Sequence, residues 1–579
     1  MCLTIRAQQT HIFSADTDLS SSLINELFID SDNMIWAATE YGLNRYDGNR
    51  FHRYYNEEGN PHSISNNFVQ ELYEDSQHRL YVATKRTVQL YNPRTDSFSK
   101  PATYSDGTPF SSHISHMLEL PDGRIVSCGD RLSTLEVRGD SIIVSREDTP
   151  VELQNGGELM IDKGDTFWIH VYQGPLYKYN LRTRELKEYD TNGVWCTIMC
   201  RDFDGNAIFI SSTGEVFRYY EQEDKIRQIN KLNNIGVTQT TACVTHDGNI
   251  LVGSDGAGLK LYDPKTNTVT EVILDGISMN PQKLKVHTII EDNNSTLWLG
   301  IFQSGVIMYP QSNTPFHYMG YKSYMNNLIG SNAITALAKD KRGYYWVGTV
   351  NDGLYRLAPD RKTSVHYDSE DVPSVVKSLY QDKHGRLWYG SYGQGFGWID
   401  IDNGRCNTLP CFEDMRHVSI YDFLEDDRGR LWIATLGSGL QCYDLKTGTR
   451  RRNLTQDNVI NRWINKLHIQ DDVLWVGSYD GLCAIDLKDT KHINGIYLRG
   501  HVVYDIAKGP DNSLWIGTSV GLISMDAQSG EIKKIASKHN APRTQGVHSP
   551  DASASIIYSI EVAPTGNLWM GTNHGLFVY

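Results

Sequence analysis

Two dipeptides in the second half of the chain place a cation beside an aromatic ring. Arg462 precedes Trp463, and Arg416 precedes His417. An aromatic face can cover the apolar face of a sugar ring, and a guanidinium can bind a carboxylate or sulfate through paired hydrogen bonds. These four residues are therefore candidates for binding an acidic sugar. The alternative interpretation is that Trp463 packs between neighbouring repeat units and that both arginines are solvated.

Further candidate binding residues lie in short turns that follow a recurring Gly-Thr or Gly-Ser pair. The turns keep one frame from copy to copy, while the residues at their tips differ. Variable residues on loops held by a rigid scaffold are typical of recognition sites, although an unconstrained surface gives the same pattern. The tip residues, together with His501 from the end of a neighbouring strand, are Asn351, Asp352, Tyr392, Gln394, Tyr479, Asp480, Asn573 and His574.

Two motifs that resemble catalytic sites are better explained as scaffold. Residues 517–521 read G-T-S-V-G, but a hydrolase nucleophile needs a strand-to-helix turn, and here Ser519 falls in a strand-to-strand turn. The D-x-x-G-x-L-W turns, such as 382–388 and 426–432, recur from unit to unit and so indicate structure. No H-E-x-x-H metal motif occurs. The sequence predicts no catalytic residue, no metal site and no cofactor, although two carboxylates for glycoside hydrolysis could come from different units.

The turns belong to a unit that recurs along the chain. In residues 418–444, three β-rich segments are separated by two turns, and a weaker fourth segment follows in several copies. Four short antiparallel strands in roughly 40–50 residues are typical of a β-propeller blade. The second segment carries an aromatic anchor that is predicted to pack between blades. The tryptophan anchors are Trp36, Trp168, Trp298, Trp346, Trp388, Trp432, Trp475, Trp515 and Trp569.

When copies in which another residue replaces the tryptophan are included, the unit occurs thirteen times. This number exceeds the roughly 4–8 blades of one propeller. The sequence therefore predicts an all-β fold of two tandem propellers of four-stranded blades. Residues 11–312 form the first, with seven blades, and 313–579 form the second, which is either six-bladed or a truncated seven. Residues 11–14 and 315–319 are predicted to close the two rings. Residues 1–10 are interpreted as an N-terminal remnant that could be the end of a signal peptide.

Composition limits the partners. The net charge is −14 with no basic stripe, which argues against direct nucleic-acid binding. No apolar run approaches the roughly 18 residues of a membrane span. Of the nine cysteines, Cys196 and Cys200 share a strand face and are predicted to be core residues. Cys406 and Cys411 bracket a short loop and could pair in an oxidising compartment.

The repeat, written D..G.LW.GT..GL..YD, resembles the two-component regulator propeller repeat over residues 12–579. The resemblance implies the extracytoplasmic, periplasmic sensor region of a Bacteroidetes-type hybrid two-component system. Such a region recognises an oligosaccharide and controls polysaccharide-utilisation genes, and it tends to form a homodimer. A β-sandwich, a membrane helix, a histidine kinase and a DNA-binding domain would lie in other segments. The chain itself is therefore expected to be non-enzymatic and to meet the membrane only through those segments.

Two other functions stay open at this point. The chain could be an interaction scaffold that binds another protein through one face of a ring. It could also be a carbohydrate-active enzyme on a propeller scaffold. A sensor would bind a glycan without turnover, a scaffold would capture a protein, and an enzyme would release product.

Overall fold

The computed structural model describes residues 3–4, 10–147, 149–150, 153–232, 237–310, 319–320, 323–324, 326–331, 333–451, 461–491, 493–534 and 555–579. Within these ranges the structure is almost entirely β. Its helices there are three short 3₁₀ segments, Glu221–Glu223, Pro281–Lys283 and Pro410–Met415. The predicted all-β class is therefore confirmed.

The described strands form thirteen sheets, numbered here in chain order, and the chain divides into two compact units. Sheets 1–7 form the N-terminal unit. Each is an antiparallel meander, except that Thr103–Tyr104 adds to sheet 3 in parallel. The strands are Ile24–Ile29, Ile35–Thr39, Gly42–Tyr46 and Phe51–Tyr54; Val69–Glu74, Leu80–Thr84, Val88–Asn92 and Ser97–Phe98; Thr103–Tyr104, Ile114–Glu119, Ile125–Gly129, Ser133–Arg138 and Ser141–Arg146; Gly156–Lys163, Thr166–Val171, Leu176–Asn180 and Leu186–Tyr189; Cys196–Arg201, Ala207–Ser211, Glu215–Tyr220 and Lys225–Lys231; Gln239–Val244, Ile250–Ser254, Leu259–Asp263 and Thr268–Val272; Val286–Glu291, Thr296–Ile301, Gly305–Pro310 and His11–Phe13.

Sheets 8–13 form the C-terminal unit, again as antiparallel meanders. Their strands are Ile334–Lys339, Tyr345–Thr349, Leu354–Leu357 and Ser364–Tyr367; Val376–Gln381, Arg386–Ser391, Phe396–Asp400 and Cys406–Asn407; Ser419–Glu425, Arg430–Leu436, Leu440–Asp444 and Thr449–Arg451; Ile464–Gln470, Val473–Ser478, Gly481–Asp486 and Ile493–Tyr497; Val503–Lys508, Ser513–Thr518, Gly521–Asp526 and Ile532–Lys534; Ile557–Val562, Leu568–Thr572, Gly575–Val578 and Leu3–Thr4.

In the N-terminal unit, the first strand of each antiparallel meander contacts the first strand of the next one. In sheet 3 this first strand is Ile114–Glu119, because Thr103–Tyr104 joins that sheet at its outer edge. The first strand of sheet 7 contacts that of sheet 1 in the same way, and the Thr288 hydroxyl accepts a hydrogen bond from the Leu27 N–H at 3.2 Å. The strand His11–Phe13 pairs with Gly305–Pro310 and is the outer strand of sheet 7, the position predicted for this segment. These contacts make a closed succession of seven sheets.

In the C-terminal unit, first strands contact one another from sheet 8 to sheet 13. The second strand of sheet 8 packs so closely on sheet 9 that a Cβ at Gly348 would meet Val376 at 2.9 Å. The equivalent Gly571 of sheet 13 meets no following sheet, and Ile334 and Leu337 on the first strand of sheet 8 are 41% and 73% exposed. These two faces have no neighbouring sheet among the described residues.

Two predictions concern the ends of the repeat series. Within residues 1–10, which are interpreted as a remnant, the strand Leu3–Thr4 pairs with Gly575–Val578 and is the outer strand of sheet 13. The predicted closing segment 315–319 lies, apart from Met319, outside the described residues, so its closing role stays a prediction.

The aromatic anchors are buried as predicted, with Trp569 partly exposed where no sheet follows. Trp388, for example, packs on Phe423 of the next sheet with ring centroids 6.2 Å apart. Its indole N–H donates at 2.9 Å to Asp382, the aspartate of the D-x-x-G-x-L-W turn. Asp30, Asp292, Asp340 and Asp426 accept from the tryptophan six residues later in the same way. The recurring aspartate is therefore a scaffold residue, as the sequence indicates.

Three further local predictions can be compared with the structure. Ser519 lies in the turn between Ser513–Thr518 and Gly521–Asp526, so no strand-to-helix turn surrounds it. Cys406 and Cys411 are free thiols, and the suggested pairing is wrong. Cys196 is buried as predicted, whereas Cys200 is only partly buried.

Acidic side chains link neighbouring first strands in the N-terminal unit. Glu26 accepts the backbone N–H of Leu72, Glu71 that of Met117, and Glu158 that of Met199. Burial raises the pKa of Glu26 and of Glu158 to about 8. Burial, followed by the nearby Glu26, raises the pKa of Glu71 well above its usual value, and Glu71 is only 7% exposed.

Replacing Glu71 with glutamine is expected to stabilise the N-terminal unit at high pH. The folded state keeps this proton above pH 4.5 while the unfolded state releases it, so the wild-type carboxyl costs stability increasingly as pH rises from 4.5. The glutamine can still accept the Met117 N–H. We expect a gain of about 2 kcal/mol at pH 8 and less than about 0.5 kcal/mol at pH 5, by calorimetry.

The matched control for this experiment is Glu188→Gln, an exposed glutamate on sheet 4 that should change nothing at either pH. The titratable neighbours of Glu71 are Glu26, Glu158, the Cys128 thiol and His116, whose Nε2 lies 3.8 Å away. Burial, with the nearby His170, lowers the pKa of His116 to about 4. A loss of stability in Glu71→Gln at pH 8 would contradict the prediction, because it would show an ionised Glu71 beside a charged His116.

Candidate functional site

Six aromatic side chains lie on one edge of the C-terminal unit, where first strands begin and second strands end. We call this group the aromatic cluster. Its most exposed members are Tyr392, Trp463 and Tyr558, at 55%, 52% and 49% exposure. The complete set is Tyr392, Tyr421, Trp463, Tyr479, Tyr504 and Tyr558. Exposed aromatic surface at this density, away from the core, is typical of a binding site.

The members of the cluster are neighbours of one another. Trp463 and Tyr479 meet edge to face with centroids 5.4 Å apart, and Tyr504 and Tyr558 do so at 5.2 Å. Burial raises the pKa of Tyr421, and the phenols of Tyr479 and Tyr392 raise it further. Burial also raises the pKa of Tyr504, with further contributions from Tyr558 and Tyr479. Tyr479 therefore links both halves of the cluster.

Three of the tyrosines occupy the same position of the repeat, directly after the first apolar residue of a first strand. In five other sheets this position holds an asparagine or threonine that bonds to a backbone carbonyl of the next sheet. The Asn465 amide, for instance, donates to the Val503 carbonyl at 2.9 Å. A tyrosine is too long for that bond, so Tyr421, Tyr504 and Tyr558 reach the edge of the sheet instead.

The remaining members are held by turns and by a bridge between sheets. Tyr392 and Tyr479 directly follow the serine that ends the second strand of their sheets. Trp463 pairs with Leu436 of the preceding sheet through an isolated β-bridge. The backbone N–H of Trp463 donates a hydrogen bond to the Asn461 side-chain oxygen at 2.8 Å. The exposed rings therefore stand on a well-supported backbone.

Charged groups border the aromatic cluster. The Lys377 ammonium lies 5.5 Å from the centre of the Tyr421 ring. Arg462 is exposed next to Trp463. The Asp480 carboxylate, next to Tyr479, accepts the Gly500 N–H at 2.9 Å. The edge thus offers aromatic faces together with cations and a hydrogen-bonded carboxylate.

The structure brings together part of the predicted set. Tyr392, Trp463 and Tyr479 belong to the cluster, and Gln394, Arg462 and Asp480 adjoin its members in the chain. Trp463 is half exposed, and Arg462 and Arg416 are both exposed, as the alternative interpretation expected of the two arginines.

Other predicted residues have local structural partners. Arg416 forms an ion pair with Glu413, and the neighbouring His417 is exposed. Asp352 accepts the Tyr355 hydroxyl and lies 3.4 Å from His366. The Asn573 side chain accepts the Ile556 N–H at 2.9 Å. The rest are placed as follows: Asn351 is exposed, His501 is partly buried, and His574 is exposed with Nδ1 3.2 Å from the Ser555 hydroxyl.

Sequence reasoning missed Tyr421, Tyr504, Tyr558 and Lys377. A usable signal was present, because each follows an isoleucine or valine at the start of a first strand. Aligning the repeats by that apolar residue would have shown large side chains where other copies carry threonine or asparagine.

The corresponding edge of the N-terminal unit carries separate aromatic contacts. Tyr41 and Tyr55 lie 5.9 Å apart, and His287 and Phe302 lie 5.0 Å apart. Tyr172 and Trp195 are 72% and 47% exposed, with no ring contact to either pair among the described residues. The continuous arrangement therefore belongs to the C-terminal unit.

Comparison with known proteins agrees with the repeat pattern. A family model described as two-component regulator propeller matches residues 328–351, 371–393 and 414–437. The chain is 25% identical over 265 residues to Histidine kinase P4 of Formosa agariphila, a match that covers 43% of this chain. That match covers 19% of the relative's own length.

The fold is shared with a solved structure, the extracellular domain of a hybrid two-component system from B. thetaiotaomicron. The sequence identity is 19% and the TM-score is 0.65, over 99% of this chain and 78% of that one. The described part of the chain contains no helix long and apolar enough to cross a bilayer. In the same ranges, no group of three or more His, Cys, Asp or Glu side chains is arranged to hold a metal ion.

The thirteen sheets, together with the solved structure that shares their fold, define an all-β repeat protein with a propeller-like fold. More specifically, residues 328–351, 371–393 and 414–437 match the two-component regulator propeller repeat, which confirms the predicted resemblance over these three segments.

Proposed function

We propose that this chain is the ligand-sensing region of a hybrid two-component system and that it recognises an oligosaccharide. The aromatic cluster of the C-terminal unit is the observation that carries the proposal. Sugar rings bind to exposed aromatic faces, and the edge offers four exposed and two partly buried aromatic side chains with polar and charged groups between them. The chain would bind the glycan without turnover, on the periplasmic side of the membrane, as part of a homodimer.

We also propose that the two units are tandem propellers. The closed succession of sheets 1–7 supports a seven-bladed ring. Exposed Ile334 and Leu337, together with the uncovered Gly571, support a second ring that is open at one position. In this arrangement the aromatic cluster surrounds one mouth of the second ring.

Replacing Trp463 with alanine is expected to weaken oligosaccharide binding about 30-fold, the effect of losing an exposed aromatic contact worth about 2 kcal/mol. Binding can be followed by isothermal titration with a panel of neutral and acidic oligosaccharides. Trp195→Ala, which removes a comparably exposed tryptophan of the N-terminal unit, is the matched control and should bind normally.

Because Trp463 is the most exposed tryptophan, while Trp398 and Trp569 are only partly exposed, a bound glycan should also reduce acrylamide quenching of the Trp463 fluorescence. This is measured in a Trp195→Phe background. If no oligosaccharide of the panel binds, or if Trp463→Ala binds as tightly as wild type, the proposed site is wrong.

A further inference from the structure

Two cations beside the aromatic cluster have no acidic partner among the described residues. The Lys377 ammonium contacts the face of the Tyr421 ring, and no described carboxylate lies within 4 Å of it. Arg462 is exposed beside Trp463 and likewise has no described carboxylate in that range. Lys377 is partly buried, so its charge has lost part of its hydration and gains only a cation–π contact in return.

Some other cations of the C-terminal unit have acidic partners. Lys466 lies between Asp422 and Asp505, and Arg416 pairs with Glu413. The chain carries 69 acidic and 55 basic side chains, so carboxylates are in excess. Two cations without a described acidic partner nevertheless lie next to one aromatic surface.

We infer that the ligand of the aromatic cluster is an anionic oligosaccharide, and that Lys377 and Arg462 bind its carboxylate or sulfate groups. The inference rests on the proposed function and adds the chemical class of the glycan. The acidic group of a uronic acid or a sulfated sugar projects from the edge of its ring. A sugar stacked on Tyr421 or Trp463 would therefore place that group beside the adjoining cation. Asp480 disfavours an anion near Tyr479 and so directs the acidic groups toward Lys377 and Arg462.

The test uses matched pairs of ligands on the full chain. Oligogalacturonates are compared with their carboxyl-reduced products, and sulfated carrageenan oligosaccharides with their desulfated products, by isothermal titration. We expect the acidic member of a pair to bind at least 10-fold more tightly, with affinity falling as NaCl is raised. The two pairs distinguish a carboxylate ligand from a sulfate ligand.

Variants then assign the charge to its residues. Lys377→Met and Arg462→Met should each weaken binding of the acidic ligand about 10-fold and leave its neutral counterpart unaffected. Arg462 is exposed, so that variant should fold even if Lys377→Met does not. Lys339→Met is the control, because Lys339 also lies over a tyrosine, 5.2 Å from the Tyr345 ring, at the other end of its strand.

The outcomes separate the two proposals. If neutral glycans bind as well as acidic ones and Trp463→Ala still abolishes that binding, the inference is overturned and the proposed function stands. If acidic glycans bind but neither cation variant weakens them, the inference is also overturned. If no glycan of either pair binds, and none of the wider panel does, both proposals fail.

Discussion

Asp426→Ala is expected to destabilise the C-terminal unit by about 4 kcal/mol, which lowers its thermal midpoint by roughly 10 °C. One carboxylate oxygen accepts the backbone N–H groups of Arg428 and Arg430, at 2.9 and 3.0 Å. The other accepts the Arg430 guanidinium at 2.6 Å and the Trp432 indole at 2.9 Å. Alanine leaves a buried guanidinium without its counter-ion and a buried indole N–H without an acceptor.

The adjacent residue is the control for this prediction. Asp427 is fully exposed and pairs with Lys383 on the surface, so Asp427→Ala should leave the thermal midpoint nearly unchanged. Differential scanning calorimetry of both variants gives the comparison. Equal midpoints for the two variants would show that the aspartate of this turn does not hold the sheet together.

Lys466→Met is expected to cost about 2 to 3 kcal/mol at pH 7. The Lys466 ammonium lies 3.6 Å from Asp422 and 3.3 Å from Asp505, on the first strands of three successive sheets. The two carboxylates also accept the Leu467 and Ile560 N–H groups. Without the cation, two poorly hydrated carboxylates face each other. The estimate is below that for a fully buried pair because the Lys466 side chain is 34% exposed.

The pH dependence identifies the cause of this loss. Burial raises the pKa of Asp422 even with the favourable charge of Lys466 present. In Lys466→Met, protonation of a carboxyl relieves the repulsion, so the deficit relative to wild type should shrink as pH falls from 7 toward 4. Adding Asp422→Asn and Asp505→Asn should recover part of the stability at pH 7. Lys508→Met, at an exposed position of sheet 12, is the control. A deficit that does not change with pH would mean that Lys466 acts through packing.

Several features of the fold could be predicted from sequence patterns within a single repeat. The alternation of β-branched strands with Asp-Gly turns predicted the sheets, and the tryptophan spacing located the second strand of most of them. The link from Asp382 to Trp388 connects residues six apart, so each repeat carries it whole. The closing strand His11–Phe13 was also predictable, because its partner strand ends shortly before the next repeat series begins.

The candidate site was predicted only in part. Tyr392, Trp463 and Tyr479 were selected from variable turns and from a cation–aromatic pair. Tyr421 and Tyr504 were not, because within their own strands they look like ordinary β-sheet residues. Arg416 was selected for its sequence neighbour, but its guanidinium is paired with Glu413.

The sequence by itself determined the repeating sheet, its turns and its buried tryptophans, because these depend on residues within one unit of about 40–50 residues. Only the tertiary structure decided which side chains of different units meet. It joined Leu3–Thr4 to Gly575–Val578, and it placed Tyr504 beside Tyr558 and Lys377 beside Tyr421. The physical reason is that these contacts arise between successive sheets, where the packing of whole sheets, and not any local pattern, sets the distance.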